Sequence, residues 1–183
     1  MPKILENPKE SILLYAKDIV LTEGIENLTM REVSKKSGIA VGTIYNYFPT
    51  KKDLTIDLIE NYWYEYLSLV DEADKSSSDF FSKLHKIFND MAFFVDTFKE
   101  VWIKNTSSEY TIDGINRKNI FLDKLTQRLE HIIEKEKDKK NINFSMSSYI
   151  LAKFLILNFM MMSQMKQFNY DDFEKIIKDY LCS

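Results

Sequence analysis

Residues 29–52 hold the side chains of this 183-residue chain whose types and spacing best suit a recognisable chemistry. Arg31 and Lys51 are cations suited to phosphate oxygens. Tyr45 and Tyr47 carry a hydroxyl on an apolar body, and Thr43 can meet a phosphate or a thymine methyl. Asn46, pointed into a groove, has the paired donor and acceptor that match adenine. Val41 offers a base no hydrogen bond. Gly42 costs a helix about 1 kcal/mol relative to alanine. These are groups for touching DNA, not for making or breaking bonds.

Catalytic chemistry has no comparable set. The chain has no nucleophile motif, phosphate-cradling glycine loop or paired-carboxylate signature. His85 and His131 lie far apart and have no Cys or His at ligand spacing, so neither a metal nor a cofactor is expected. The reading is therefore not an enzyme. The single cysteine, Cys182, cannot form an intrachain disulfide and suits a reducing, cytoplasmic setting. Met1–Glu6 lacks the apolar stretch of a signal peptide. The longest apolar run, Tyr149–Met162, contains Lys153 and Asn158. It is shorter than the ~20 apolar residues a membrane span needs, so it reads as a buried helix.

Net charge is −3, so bulk charge does not announce a nucleic-acid partner. The distribution does. Residues 1–52 carry 8 basic and 6 acidic side chains, and residues 53–183 carry 17 basic and 22 acidic. Within 29–52 the balance is 5 to 1. A basic patch on an acidic body steers one face toward phosphate while keeping non-specific affinity modest.

Helices must position these groups. With 4 Gly and 3 Pro, many-turned β architectures are disfavoured, and no strand-like alternation appears. Ile12, Leu13, Ala16, Ile19 and Val20 have the spacing of one buried helix face. Gly24 ends that helix. Thr29 with Glu32 three residues on reads as a capping box opening a second helix, with Val33 inward and Gly38 at its end. Ile39, Ile44 and Phe48 give the inward face of a third helix, whose Ala40 is a poor cap. Thr50 with Asp53 opens a fourth. Two short helices joined by a tight turn at Gly38 form a helix-turn-helix, which lays its second helix in the major groove.

Leu54, Leu58, Ile59, Trp63, Tyr66, Leu67 and Val70 extend the fourth helix by about five turns at ~1.5 Å per residue. Ser76–Asp79 break it, and Phe81, Leu84, Phe88, Met91, Ala92 and Val95 mark the next helix. A short piece at Val101-Trp102 follows, then an irregular loop from Ser107 to Asn116. Leu122, Leu125, Leu129, Ile132 and Ile133 mark another helix. Lys135–Asn143 reads as a solvated charged connector. Ser145 is expected to cap an apolar helix reaching about Phe168. Asp171 or Asp172 then opens a last helix with Phe173, Ile176, Ile177, Tyr180 and Leu181 inward. The expected architecture is all-α, with an N-terminal three-helix DNA-binding head (residues 1–52) and a C-terminal helical-bundle regulatory and dimerisation domain (residues 53–183).

Residues 12–54 resemble the TetR family of bacterial transcriptional regulators. The likeness is carried by Ile12-Leu13, Ala16, Gly24, Thr29, Val33, Gly38, Gly42-Thr43, Tyr45, Tyr47-Phe48, Pro49, Lys51 and Leu54. The rest of the chain matches only in being helical and of suitable length. The resemblance implies a homodimer whose two heads meet the half-sites of a palindromic double-stranded DNA operator. It implies a repressor released by a small ligand held in the body. Its DNA-binding positions here are Thr29, Arg31, Val41, Gly42, Thr43, Tyr45, Asn46, Tyr47 and Lys51. Many relatives have a polar pair at Ala40-Val41. The apolar pair here points to readout of thymine methyls and DNA shape, and so to an AT-rich operator.

Aromatic and methionine residues crowd the body. Most of them read as bundle core. Trp63, Tyr66, Phe94 and Trp102 fall on central helices and are the expected pocket liners, for a small hydrophobic or aromatic ligand. The family resemblance implies a four-helix dimer interface built from Met146–Phe168 and Phe173–Leu181, with Phe154, Leu157, Met161, Met165, Phe173 and Ile177 as its expected residues. The run Met160-Met161-Met162 is apolar in three successive helical directions, so core on one side and a partner on the other would bury it. A regulator without a small-molecule ligand is the alternative. A helical enzyme or carrier is disfavoured by the missing catalytic constellations.

Overall fold

The computed structural model describes the backbone of residues 7–104, 112–139, 141–165 and 169–181, and the side chains of these except 99–104 and 112–115. The described residues form helices, one 3-10 turn and no strand. The helices are α1 (Pro8–Glu23), α2 (Met30–Ser37), α3 (Val41–Tyr47), α4 (Lys51–Lys75), α5 (Phe80–Lys104), α6 (Ile112–Asp138), α7 (Ser148–Gln164) and α8 (Tyr170–Leu181). The 3-10 turn, Ile25–Asn27, joins α1 to α2.

Two compact units divide the chain. The first runs to Tyr62 and takes up the chain again from Thr97 to Glu109; the second contains Trp63–Asp96 and everything from Tyr110. The first unit thus keeps more of α4 than a boundary after residue 52 would give it.

In the first unit the buried residues of α1 are Ile12, Leu13, Ala16, Ile19 and Val20, the set its periodicity predicts. They pack with Leu28, Met30, Val33, Ile39, Ile44, Phe48, Leu54 and Leu58. Local chemistry sets the helix ends. Asn7 and Thr29 accept from the backbone N–H of Glu10 and Glu32. Thr50 and Asp53 cap reciprocally: the Asp53 N–H donates to the Thr50 hydroxyl at 3.2 Å, and the Thr50 N–H to the Asp53 carboxylate at 2.9 Å. Gly38 closes α2 at φ 70°, a left-handed conformation that costs a Cβ-bearing residue about 1–2 kcal/mol. Ser34 braces that turn by donating to the Ile39 carbonyl at 2.7 Å.

The second unit is a helical bundle centred on Val70, Leu84, Ile87, Leu125, Leu129, Ile133, Leu155 and Phe159. Tyr66 donates from its hydroxyl to the Ile87 carbonyl at 2.9 Å. Burial, with the charge of Asp90, holds that phenol well above its ordinary pKa.

Here the structure corrects the sequence reading. Residues 101–102 are no separate piece, because α5 runs unbroken to Lys104. Helix occupies Ile112 onward, inside the expected 107–116 loop; residues 107–111 lie outside the described residues. The charged connector at Lys135–Asn143 is half helix, since α6 continues to Asp138. Within it Glu136 is buried against buried Lys83, each 4% exposed, at 3.8 Å. Lys83 also donates to the Asp74 carbonyl at 3.0 Å, and Lys139 and Asn141 donate to the Glu136 carboxylate at 2.8 and 2.7 Å. Burial pushes the Glu136 carboxyl up, but those hydrogen bonds and the charges of Lys139 and Lys83 outweigh it, and its pKa lies below the ordinary value. Ser147, not Ser145, caps α7 by accepting from the Ile150 N–H, and α7 ends at Gln164. Asn169, not Asp171 or Asp172, caps α8: its side-chain Oδ1 accepts from the Asp172 N–H at 2.9 Å. No helix among the described residues is long and apolar enough to cross a membrane.

Candidate nucleic-acid interface

The head buries one face of its helix-turn-helix and leaves the other to solvent. Met30 and Val33 of α2 and Ile44 of α3, with Ile39 and Phe48 beside them, form the buried side. Successive side chains turn by 100° around a helix, which carries Arg31 and Lys35 of α2 and Asn46 of α3 away from it and sets Val41 and Tyr45 at its margin, about 60° and about 100° from Ile44. All five are exposed, as are Tyr47 and Lys51, while Thr43 is half-buried. The nine expected DNA-binding residues therefore lie on α2, α3, their caps and the first turn of α4. Thr29 has two roles open to it, because its hydroxyl is committed to the Glu32 N–H at 3.1 Å while the residue stays exposed. Ala40 makes no side-chain cap for α3. A Cβ built on Gly42 would meet nothing within 4 Å, so no packing within the protein requires a glycine there.

The basic patch is weaker than its composition. Lys36 is held between the Asp18 and Glu23 carboxylates of α1, at 2.9 and 2.8 Å. Hydrogen bonds to Glu23 and Asp18 and their charges push its pKa up to about 12. It stitches α2 to α1. Lys35 faces Glu32 at 3.1 Å. Lys9 pairs with Asp57 at 2.7 Å and ties the start of α1 to α4. Arg31 and Lys51 remain exposed beside α3. Sequence reasoning missed the Lys36 clamp, since its partners lie 13 and 18 residues away and no local spacing marks them.

The body presents a second exposed surface. On α7, Ile150, Phe154, Leu157, Met161 and Met165 recur every three or four residues, and all are exposed. Leu157 and Met161 are 53% and 55% exposed. On α8, Ile176 and Tyr180 are exposed, 58% for Ile176, although the sequence reading put both inward. Phe173 and Ile177, expected at the dimer interface, are instead buried in the unit's own core, where Phe173 packs edge-on to Phe159 at 5.9 Å. The apolar pattern of α8 is two stripes: Tyr170, Phe173, Ile177 and Leu181 face in, and Ile176 and Tyr180 face out. Separating the runs of three and four on each side would have distinguished them.

Trp63, Tyr66 and Phe94, the expected pocket liners, are buried in the second unit. Trp63 stacks on Phe121 with centroids 5.0 Å apart, and its buried Nε1 has no hydrogen-bond partner among the described residues. The Trp102 side chain lies outside the described residues. A cleft of about 240 Å³ in this unit has other walls, Val70, Asp71, Asp74, Gln127, Arg128, His131 and Ile132. Charged residues sit among its walls and are paired: Arg128 with Asp71 at 2.9 Å, and Asp74 with Lys135 at 2.8 Å. Among the described residues no group of three or more His, Cys, Asp or Glu could hold a metal ion.

Residues 12–58 match the family model described as "Bacterial regulatory proteins, tetR family". An uncharacterized HTH-type transcriptional regulator of Bacillus subtilis, YvdT, is 26% identical over 101 residues, which cover 55% of this chain and 52% of that protein. The chain thus spans about half the length of this curated relative. Among solved structures, a TetR transcriptional regulator from Legionella pneumophila superposes with a TM-score of 0.61 at 16% identity, covering 96% of this chain and 97% of that one. The regulator FadR from Bacillus subtilis, solved in complex with stearoyl-CoA, gives 0.63 at 15% identity and covers 93% and 95%. At such identities the structures share the fold, a helix-turn-helix head followed by a helical domain.

Proposed function

We propose that this chain, whose residues 12–58 match the model of bacterial regulatory proteins of the tetR family, is a DNA-binding transcriptional regulator of that family. In this reading it acts in the cytoplasm as a homodimeric repressor on a palindromic, AT-rich operator, and a small hydrophobic ligand releases it. The observation that carries the reading is the exposed face of the head. Val41, Tyr45, Asn46 and Tyr47 of α3 stand clear of a saturated core and are flanked by the Arg31 and Lys51 cations. Helix-turn-helix dimers hold their recognition helices one DNA turn apart, ~34–36 Å, or a multiple of it. A ligand that favours another spacing abolishes simultaneous docking.

Dimerisation is supported by the exposed apolar stripe of α7, with Ile176 and Tyr180 of α8 beside it. Ligand control is supported by the stearoyl-CoA complex of the similar FadR and by the buried, unpartnered Trp63 Nε1. A regulator without a small-molecule ligand is the second reading, favoured by the close stacking of Trp63 on Phe121.

Selection from a random duplex library, followed by gel-shift titration, tests the DNA-binding reading. The wild type should enrich a palindrome, and Tyr47→Ala and Lys51→Ala should weaken binding while leaving the helical circular dichroism unchanged. Normal binding by both variants would defeat it. Release of the selected duplex by stearoyl-CoA or by a panel of aromatic compounds separates the ligand-controlled form from the second reading.

A further inference from the structure

The chemistry of α3 narrows what it can read, and the step rests on the DNA-binding reading above. Val41-Gly42-Thr43-Ile44-Tyr45-Asn46-Tyr47 contains no charged side chain. Guanine is most often read by arginine or lysine reaching its O6 and N7. No residue of α3 can make that contact. What α3 does present is an apolar projection. Val41 is 39% exposed and stands one turn before Tyr45, 49% exposed, at the edge of the face that buries Ile44. Val41 is not among the buried residues of the head's core. Beside it, Gly42 leaves a gap in the surface where a Cβ would meet nothing.

A branched apolar side chain next to a gap fits one feature of the major groove, the C5 methyl group of thymine, the groove's apolar marker among donors and acceptors. Exposed Arg31 on α2 and Lys51 at the start of α4 supply phosphate-seeking charge on the elements either side of α3. We infer that Val41 is a specificity-determining residue that reads a thymine C5 methyl in each half-site, with Gly42 as the clearance that lets it get there. The operator preference is then for the methyl group itself and not for A·T content or groove shape.

Uracil tests this, because it differs from thymine only by that methyl. The probe is the duplex that the full-length protein selects from a random library, synthesised with thymine and with uracil at single positions. One half-site position should lose about 4-fold in affinity per methyl, the ratio expected for one buried carbon, compounding over two half-sites. Uracil in the central spacer should change nothing. Val41→Ala should cost a similar factor on the thymine duplex and almost nothing further on the uracil duplex. Equal affinity for thymine and uracil duplexes would overturn the inference. So would an equal Val41→Ala loss on both, or a loss from spacer uracil as large as from half-site uracil, which would mark shape readout. A library that enriches no duplex would overturn the DNA-binding reading and this inference with it, whereas an enriched duplex indifferent to uracil would remove the inference alone.

Discussion

The head and the body of this molecule use polar groups differently. In the head, polar groups at helix ends bond three to five positions away, Thr29 to Glu32, Thr50 to Asp53 and Ser34 to Ile39, and the ion pairs between helices, Lys36 with Asp18 and Glu23 and Lys9 with Asp57, are partly exposed. In the body, charged groups are also buried between helices, Lys83 with Glu136, and bond across long stretches of chain. Arg128 reaches Asp71 over 57 residues, and Lys135 reaches Asp74 over 61. The exposed surfaces differ as well. The head turns a small face of mixed character to solvent, with cations beside it. The body turns out a long apolar stripe with few charges. A face that must dock on a polyanion and leave again suits the first pattern, and one that stays covered by another protein surface suits the second.

Mutations that treat the two regions differently can break this contrast. The largest expected effect is in the body. Glu136→Ala strands the buried Lys83 ammonium and should cost about 3–5 kcal/mol, read from denaturant unfolding followed by tryptophan fluorescence. The Glu136 carboxyl is held below its ordinary pKa. Its contribution is therefore full above the unfolded value, about 4.3, and is lost as pH falls through the lowered folded value. Glu136→Gln should flatten the acid limb of a stability–pH curve. An unchanged limb would mean that the pair does not hold α6 to α5.

Next comes the exposed stripe. Leu157→Glu combined with Met161→Glu should yield a folded monomer by sedimentation. Its affinity for the selected duplex should fall on the order of 100-fold, because the second head no longer binds within the same complex. A double variant that still sediments as a dimer would take α7 out of the interface.

In the head the effects are smaller and of mixed sign. Gly42→Ala meets no neighbour and should stabilise the fold by about 1 kcal/mol, while operator binding weakens. Improvement in both would remove α3 from the groove. Smallest is the cap of α7, where thermal melts should register about 1 kcal/mol for Ser147→Ala and under ~0.5 kcal/mol for Ser145→Ala.

Legibility in the sequence follows the distance along the chain between the residues that interact. Ile12, Leu13, Ala16, Ile19 and Val20 were readable as the buried face of α1, because a 3.6-residue period needs no knowledge of the partner. Gly38 and the Thr50–Asp53 box were readable because turn and cap chemistry is complete within four residues. Lys36 counts toward the basic balance of residues 29–52, and nothing near it in the chain announces Asp18 or Glu23. Glu136 was misjudged as solvated for the same reason. Its burial depends on Lys83, from a different helix, and a run of charges in sequence looks alike whether or not one member turns inward. Ile176 and Phe173 are both apolar residues of α8, and composition could not say that one is exposed and the other buried.

By itself, then, the sequence determined what is settled within a turn or two of helix: the buried face of α1, where α2 to α4 begin, the turn between α2 and α3, and an all-helical body. Capping bonds, positive φ and helical periodicity are short-range, so the residues that cause them are neighbours in the chain. The tertiary structure alone decided which charges are free, which face of α7 and α8 stays open, and where the Trp63 and Tyr66 rings go. Those outcomes depend on which helix lies opposite, and desolvation and ion pairing act through space between residues that the sequence keeps far apart.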